Sequence, residues 1–372
     1  MRMRGGFSLT VFFALACACA RPTASVDQTP TTEVSQASAE GGAEQGVAAE
    51  LDQTPSIIKA MRLHGFGEPD VLVYEDAPLP PAPGPGELRV RVHAVGINPL
   101  DHKVRAGMVP RLVADRFPFI LGWDLSGTVE SVGPDVSAFA VGDPIFAMLA
   151  LHRAGAYAEY TIVHVDEAAP KPASLSHEQA AAVPLAGLTA WQALVDTAAL
   201  TAGQTVLIHG GSGGVGSFAI QIAKARGARV IATASAANQD LLRELGADLA
   251  IDYRATKFED VAGAVDVVLD TVGGNTQARS IGIVKAGGII VSIVAPPDPE
   301  ALAARGIRGT RLIVHPDAAA LVQLGALIDA KKLTPVVSQV FALAEAALAH
   351  TAVASGHTRG KIVLRVEPRG AH

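Results

Sequence analysis

The sequence predicts an α/β protein in which a doubly wound parallel sheet is joined to an all-β, barrel-like module. Three observations predict it. A glycine turn, His209-Gly-Gly-Ser-Gly-Gly-Val-Gly216, stands between the β-branched run Thr205–Ile208 and a segment, 217–226, whose apolar residues recur at helical spacing. From about Leu185 onward, apolar strands alternate with helical stretches, the pattern of parallel βαβ units. Ahead of that region, Leu88-Arg-Val-Arg-Val-His-Ala-Val95 alternates as a half-buried antiparallel strand does, and short strands separated by Gly and Pro follow it.

The chain has 372 residues and a net charge of −6, enough for two domains with ample core. The mild acidity, without basic runs, argues against nucleic acid as a partner. Both cysteines, Cys17 and Cys19, lie in the first twenty residues, so the rest holds neither a disulfide framework nor a cysteine zinc site. No later apolar run is long enough to span a bilayer. Arg2 and Arg4 precede the apolar stretch Phe7 to Ala20, and Ala18-Cys19-Ala20 resembles a cleavage site, so residues 1–20 are expected to be a signal peptide. Phe13-Ala-Leu-Ala-Cys17 is a loose lipobox, which makes Cys17 or Cys19 a candidate lipid anchor. This reading places the protein in the cell envelope, periplasmic or lipid-anchored; the competing reading is a lower start, near Met61, and a cytoplasmic protein. Residues 21–56, rich in Thr, Ser, Ala, Gln and Glu, are expected to be a disordered linker.

The barrel-like module spans 57–184. After the connector Leu79 to Gly86, its strands are expected at 88–95, 126–132, 143–148 and 158–165. The parallel-sheet domain spans 185–312, with strands at 206–209, 230–234, 249–252, 265–270 and 288–294 and a helix over 238–245. The tail, 313–372, carries a helix over 318–331, a strand over 336–340, a helix through Ala349 and a strand over 361–366. It is too short for a domain and is expected to complete the first module.

The strand–turn–helix suits a dinucleotide pyrophosphate. Gly211 is expected to allow the tight turn, Gly213 the approach of phosphates, and Gly216 the packing of helix on strand. The helix N-terminus supplies unpaired N–H groups and a positive dipole end. Gly211, Ser212, Gly213, Gly214, Val215 and Gly216 are therefore candidate cofactor contacts. An NAD enzyme places an acid after the second strand to hold the ribose 2′-hydroxyl. Here Ala234, Ser235, Ala236 and Ala237 follow that strand, and the first acid is Asp240. Small and hydroxylated residues leave room for a 2′-phosphate, which favours NADPH over NADH.

Six phrases in order carry a resemblance. They are Gly96-Ile-Asn-Pro-Leu-Asp101 with Lys103 and Arg105, Gly155-Ala-Tyr-Ala-Glu159, Pro184-Leu-Ala-Gly-Leu-Thr-Ala190, the glycine turn, Asp270-Thr-Val-Gly-Gly274 and Ser355-Gly-His-Thr-Arg-Gly-Lys361. Together they resemble the zinc-free quinone-oxidoreductase branch of the medium-chain dehydrogenase/reductase superfamily, over residues 58 to 366. The resemblance implies a GroES-like substrate domain interrupted by a Rossmann nucleotide domain, a cleft site between them, and a homodimer. Its NADPH reductases use a serine and a tyrosine that match Ser235 and Tyr253, whereas their lysine is replaced by Asn238; Arg254 or Lys257 is a candidate substitute. Val272, Val294 and Lys361 are implied as further cofactor contacts.

For catalysis the resemblance points to Asn98 near the nicotinamide, to Asp101, and to Thr189, whose hydroxyl would bond the carboxamide. Asp101 either orients Asn98 or pairs with Lys103 or Arg105; the plainer reading of Thr189 is a helix-start residue. No metal is expected: Gly122-Trp123-Asp124 stands where zinc-dependent relatives have Gly-His-Glu, and His93, His102 and His152 are scattered. Met108 occupies the place of a tyrosine proton donor, and Tyr157 and Tyr160 are expected to be packing residues, so the donor is unassigned. The leading expectation is an NADPH-dependent oxidoreductase acting on a quinone or α,β-unsaturated carbonyl. The alternatives are an alcohol or aldehyde dehydrogenase-like reductase and a non-catalytic NADPH-binding sensor.

Overall fold

The computed structural model describes residues 56–113 and 116–367. The expected signal segment, with Cys17 and Cys19, and the linker up to its last residue lie outside them. The fold opens on a hairpin of β1 (Ile57–Leu63) and β2 (Leu72–Pro78), paired antiparallel along their whole length. A start at Met61 would remove Ile57 to Ala60, including the fully buried Ile58 and Ala60, so the lower start considered above cuts into β1.

The long strand β3 (Glu87–Ile97) buries every second residue from Leu88, as its alternation requires. Helix α1 (Pro99–Arg105) follows it directly. Then come β4 (Phe119–Ile120), β5 (Asp124–Val132), β6 (Pro144–Met148), β7 (Tyr160–His164) and β8 (Ala168–Pro170). Two helices, α2 (His177–Ala181) and α3 (Pro184–Trp191), lead into the second domain.

That domain runs β9 (Thr205–Ile208), α4 (Gly214–Ala225), β10 (Arg229–Ala234), α5 (Gln239–Glu244), β11 (Leu249–Asp252), α6 (Phe258–Val261), β12 (Val265–Asp270), α7 (Gly274–Ile281), β13 (Val284–Ser292), α8 (Pro299–Arg305) and β14 (Arg308–Arg311). The chain closes through α9 (Ala318–Asp329), β15 (Val337–Ala342), α10 (Ala346–Ala354) and β16 (Lys361–Arg365).

Among the described residues the strands form three sheets. The second domain's sheet has the order β11-β10-β9-β12-β13-β14, parallel throughout. Its strand order reverses between β9 and β12, where doubly wound sheets open a ligand crevice at the carboxyl ends of their strands. The barrel sheet runs β15-β16-β3-β5-β6-β8, with β7 also on β3, and β1, β2 and β4 form the third.

The tail is not of one piece. Ala320, Leu321, Leu324 and Ile328 of α9 belong to the apolar cluster that also holds residues of α3, α4 and β9. Helix α9 also packs on β8, with Asp329 accepting from Ala173 and Ser174, whereas β15, α10 and β16 complete the barrel itself, where β16 pairs with β3 and Leu343, Ala346 and Ala349 join its core.

Candidate active site

The glycine turn sits at the carboxyl end of β9. Its left-handed residue is Gly210, with φ +64, which corrects the expectation that Gly211 makes the tight turn. Gly211 lacks a side chain for another reason: a Cβ there would meet Leu242, Ala232 and Ile220 at 2.8–3.1 Å. Gly216 behaves as expected, since its Cβ would lie 2.3 Å from the Gly210 carbonyl oxygen and 2.7 Å from Gly211 Cα, where helix meets turn. Gly213 is the N-cap of α4, and its Cβ would meet nothing nearer than the Gly210 oxygen at 3.4 Å. The turn is thus sealed on its protein side; at the helix start Gly213 keeps an open flank while Gly360 and Lys361 approach Gly214, and the first amides of α4 have no partner one turn back. Those features fit a dinucleotide's pyrophosphate.

Beyond the end of β10, Ser235 and Tyr253 come together because β10 and β11 are parallel neighbours and the Tyr253 amide donates to the Ala234 carbonyl at 3.2 Å. Asn238 donates to Ser235 Oγ at 3.2 Å. The Arg254 guanidinium lies over the exposed Tyr253 ring at 5.7 Å, so the cation that follows β11 stands beside the hydroxyls. After β12, buried Asp270 accepts from the amides of Val272 and Gly273, from Gln277 Nε2 and from Ser292 Oγ, at 2.8–3.1 Å. This carboxylate shapes the loop that leaves Val272 and Val294 exposed on either side of Gly273, whose Cβ would lie 2.8 Å from Val294. Sequence reasoning quoted Asp270 within a motif and missed its organising role.

The barrel contributes a buried polar floor. Asn98 caps α1, and Asp101 Oδ2 accepts its backbone amide at 2.8 Å, the reciprocal half of a capping box. Asp101 thus bonds the Asn98 amide rather than a cation of α1: Arg105 donates instead to Gly67 O and His102 Nδ1, and Lys103 is exposed. The Asn98 side chain accepts from Lys361 Nζ at 2.5 Å and donates to Asp124 Oδ2 at 2.9 Å. Lys361 also pairs with Asp124 at 3.2 Å. Its stem runs past Gly214, while its ammonium points into this floor. Asp124, fully buried, further accepts the Leu185 amide on Oδ1 at 2.7 Å. The signal for Asp124 was present, an acid inside the apolar strand start Trp123-Asp-Leu125, but no role was read from it. Thr189 is buried in mid-helix and donates to Leu185 O at 2.6 Å, so it is not a helix-start residue; the lone pairs of its oxygen remain as acceptors. Tyr157 and Tyr160 are buried in packing positions, and Met108 is exposed beyond α1.

One ammonium faces two buried carboxyls here. Burial, and then the neighbouring Asp124 charge, push the Asp101 carboxyl up to about 7. Burial raises Asp124 as well, against the opposing pull of Lys361. Close by, Tyr157 OH shares a 3.1 Å hydrogen bond with His350 Nε2, and burial drives the His350 ring down to about 3. Asp101 therefore gives stability a definite pH dependence. A folded carboxyl that keeps its proton to about 7, and releases it near 3.8 when unfolded, stabilises fully below the unfolded value and loses that contribution as pH rises through 7. Asp101→Asn keeps an acceptor for the Asn98 amide and removes the titration. The variant's stability relative to wild type should be about 3 kcal/mol more favourable at pH 8 than at pH 5. Thermal unfolding at both pH values measures this, and equal differences would contradict the assigned burial of the charge.

A family model described as an alcohol dehydrogenase GroES-like domain matches residues 84–173, and one described as a zinc-binding dehydrogenase matches residues 245–364. The chain is 35% identical over 355 residues to a mitochondrial NAD(P)H oxidoreductase of Danio rerio, covering 84% of this chain and 92% of that one. It is 34% identical over 342 residues to a chloroplastic NADPH-dependent alkenal/one oxidoreductase of Arabidopsis thaliana, covering 89% and 85%. The solved quinone oxidoreductase of Coxiella burnetii superposes with a TM-score of 0.78 at 37% identity, covering 84% of this chain and 100% of that one.

Proposed function

This chain belongs to the medium-chain dehydrogenase/reductase superfamily and is an oxidoreductase with a nicotinamide cofactor, and from that membership we propose that it is a zinc-independent, NADPH-dependent reductase of quinones or α,β-unsaturated carbonyls. The observation that carries the proposal is the end of β10. Ser235 stands there instead of an acid, bonded by Asn238, with Tyr253 and the Arg254 guanidinium over its ring following the neighbouring strand β11. A hydroxyl, an amide and a guanidinium favour a 2′-phosphate, whereas a carboxylate would repel it.

The glycine turn and the start of α4 would hold the pyrophosphate, and Thr189, Val272 and Val294 would border the nicotinamide. When bound, NADPH supplies the hydride. The protein's own contribution is orientation and exclusion of water: exposed apolar Val272 and Val294 at the mouth, and a floor in which Asn98, Asp124 and Lys361 are bonded to one another. Zinc independence is supported by the donor set. No cysteine follows Cys19, and the Asp124 carboxylate is committed to Lys361, Asn98 and Leu185. Among the described residues no three His, Cys, Asp or Glu side chains gather as a metal site would need.

Following NADPH absorbance with a simple benzoquinone and with a panel of enones tests the reading, together with titration of NADPH against NADH. Turnover with at least one acceptor class and tighter binding of NADPH are expected; equal or better NADH affinity would refute the cofactor assignment. Asn98→Ala should lower turnover roughly tenfold while sparing NADPH affinity, because it loosens the floor and leaves the phosphate end intact. Unchanged turnover would remove Asn98 from the site.

A further inference from the structure

We propose that the buried Lys361–Asp124 pair is a positioning node that keeps the phosphate-binding turn in register with the nicotinamide end of the site; the proposal rests on the dinucleotide reading above. Three elements meet on this pair. On one side, the Gly360 amide donates to the Ser212 carbonyl at 2.8 Å, and Gly360 forms a parallel bridge with Gly213. Gly360 has φ +63, and a Cβ there would lie 2.1 Å from the Val336 carbonyl oxygen, so only glycine can make the junction. The next residue, Lys361, carries the connection from the turn to Asn98 Oδ1 and Asp124 Oδ2. On the other side, Asp124 Oδ1 holds the Leu185 amide, in the first turn of α3, and Leu185 in turn accepts from Thr189.

The side-chain types suit that task. Lysine has only donors, so Asn98 must turn its oxygen to Lys361 and its NH2 to Asp124, which removes any ambiguity in the amide's orientation. Asp124 accepts on both oxygens, so it reaches Asn98, Lys361 and α3 together. With Lys361 only 4% exposed and Asp124 fully buried, neither charge has water as an alternative partner, and the geometry is held by mutual need. A cofactor that touches both the turn and α3 therefore meets two surfaces whose spacing is set in advance.

The test compares NADPH with 2′,5′-ADP, which reaches only the phosphate end, in wild type, Lys361→Met, Lys361→Arg and the double variant Lys361→Met/Asp124→Asn. Lys361→Met alone leaves a buried carboxylate unpaired and should lower the melting temperature by roughly 10 °C; the double variant, free of both charges, should recover most of that loss. In the double variant NADPH affinity should fall roughly tenfold while 2′,5′-ADP affinity stays as in wild type, because the advantage of engaging both ends at once is lost. Lys361→Arg should restore part of the NADPH advantage. An unchanged ratio of the two affinities in a double variant with recovered melting temperature would overturn the proposal and leave the pair purely structural. Because both readouts are binding equilibria, they decide the matter even if no acceptor is turned over.

Discussion

Gly216→Val should abolish tight NADPH binding, with affinity falling on the order of a hundredfold or more. The new Cβ would have to occupy space 2.3 Å from the Gly210 oxygen and 2.7 Å from Gly211 Cα. Both are backbone atoms, so no rotamer change relieves the overlap, and α4 must move off the turn. Overpacking of this kind costs about 3 kcal/mol, and an equal loss of cofactor binding corresponds to about two decades in Kd. Gly213→Ala supplies the contrast. Its Cβ meets only the Gly210 oxygen at 3.4 Å, and its φ of −81 suits any residue, so the free protein should melt as wild type does. Yet the added methyl stands where phosphates must approach, and NADPH should bind roughly tenfold more weakly. Fluorescence titration and thermal unfolding of the two variants separate damage to the turn from obstruction of the ligand. Wild-type NADPH affinity in Gly216→Val would show that the turn is not the cradle.

Ser235→Asp should reverse the choice of nucleotide. A carboxylate at the end of β10 can accept the ribose 2′-hydroxyl of NADH and repels a 2′-phosphate. At a partly exposed site the repulsion is worth about 3 kcal/mol, or about a hundredfold in NADPH affinity. Ser235 is half-buried, and the side-chain bond it gives up, from Asn238, is one that a carboxylate also accepts; folding stability should hardly change. Parallel titrations with NADPH and NADH give the ratio directly. If NADPH remained preferred, the 2′-phosphate would have to be read elsewhere, with Arg254 beside Tyr253 the first place to look.

Much of this was legible in the chain because it is local. Strand, turn and helix around Gly210 to Gly216 lie within about twenty residues, and both the apolar run and the glycine spacing follow from contacts made there. The same holds for β3, whose alternation shows which face is buried. What escaped notice lacked such a pattern. Arg308-Gly-Thr-Arg311 forms an edge strand, exposed along one side, so nothing selects apolar residues in it. The hairpin of β1 and β2 precedes the first strand expected from the sequence, 88–95. Gly210 rather than Gly211 takes the positive φ because the chain must leave the sheet immediately after His209, which is buried and bonded to Thr233 and Ser280.

The cofactor fold, the place of the phosphates and the absence of an acid after β10 were thus readable from consecutive residues, since hydrogen bonding and hydrophobic period act over one strand or one turn of helix. The floor was not. Lys361 reaches Asn98 across 263 positions of sequence and Asp124 across 237. No local period encodes such a meeting, because it depends on the last strand returning beside β3 after the whole nucleotide domain has been inserted. Lys361, expected among the cofactor contacts, carries the link from the glycine turn to the floor, and Asp124, an acid without an assigned role, becomes its partner. Burial converts these separate polar residues into one bonded unit, since a buried ammonium and carboxylate, once out of water, are stable only in each other's company.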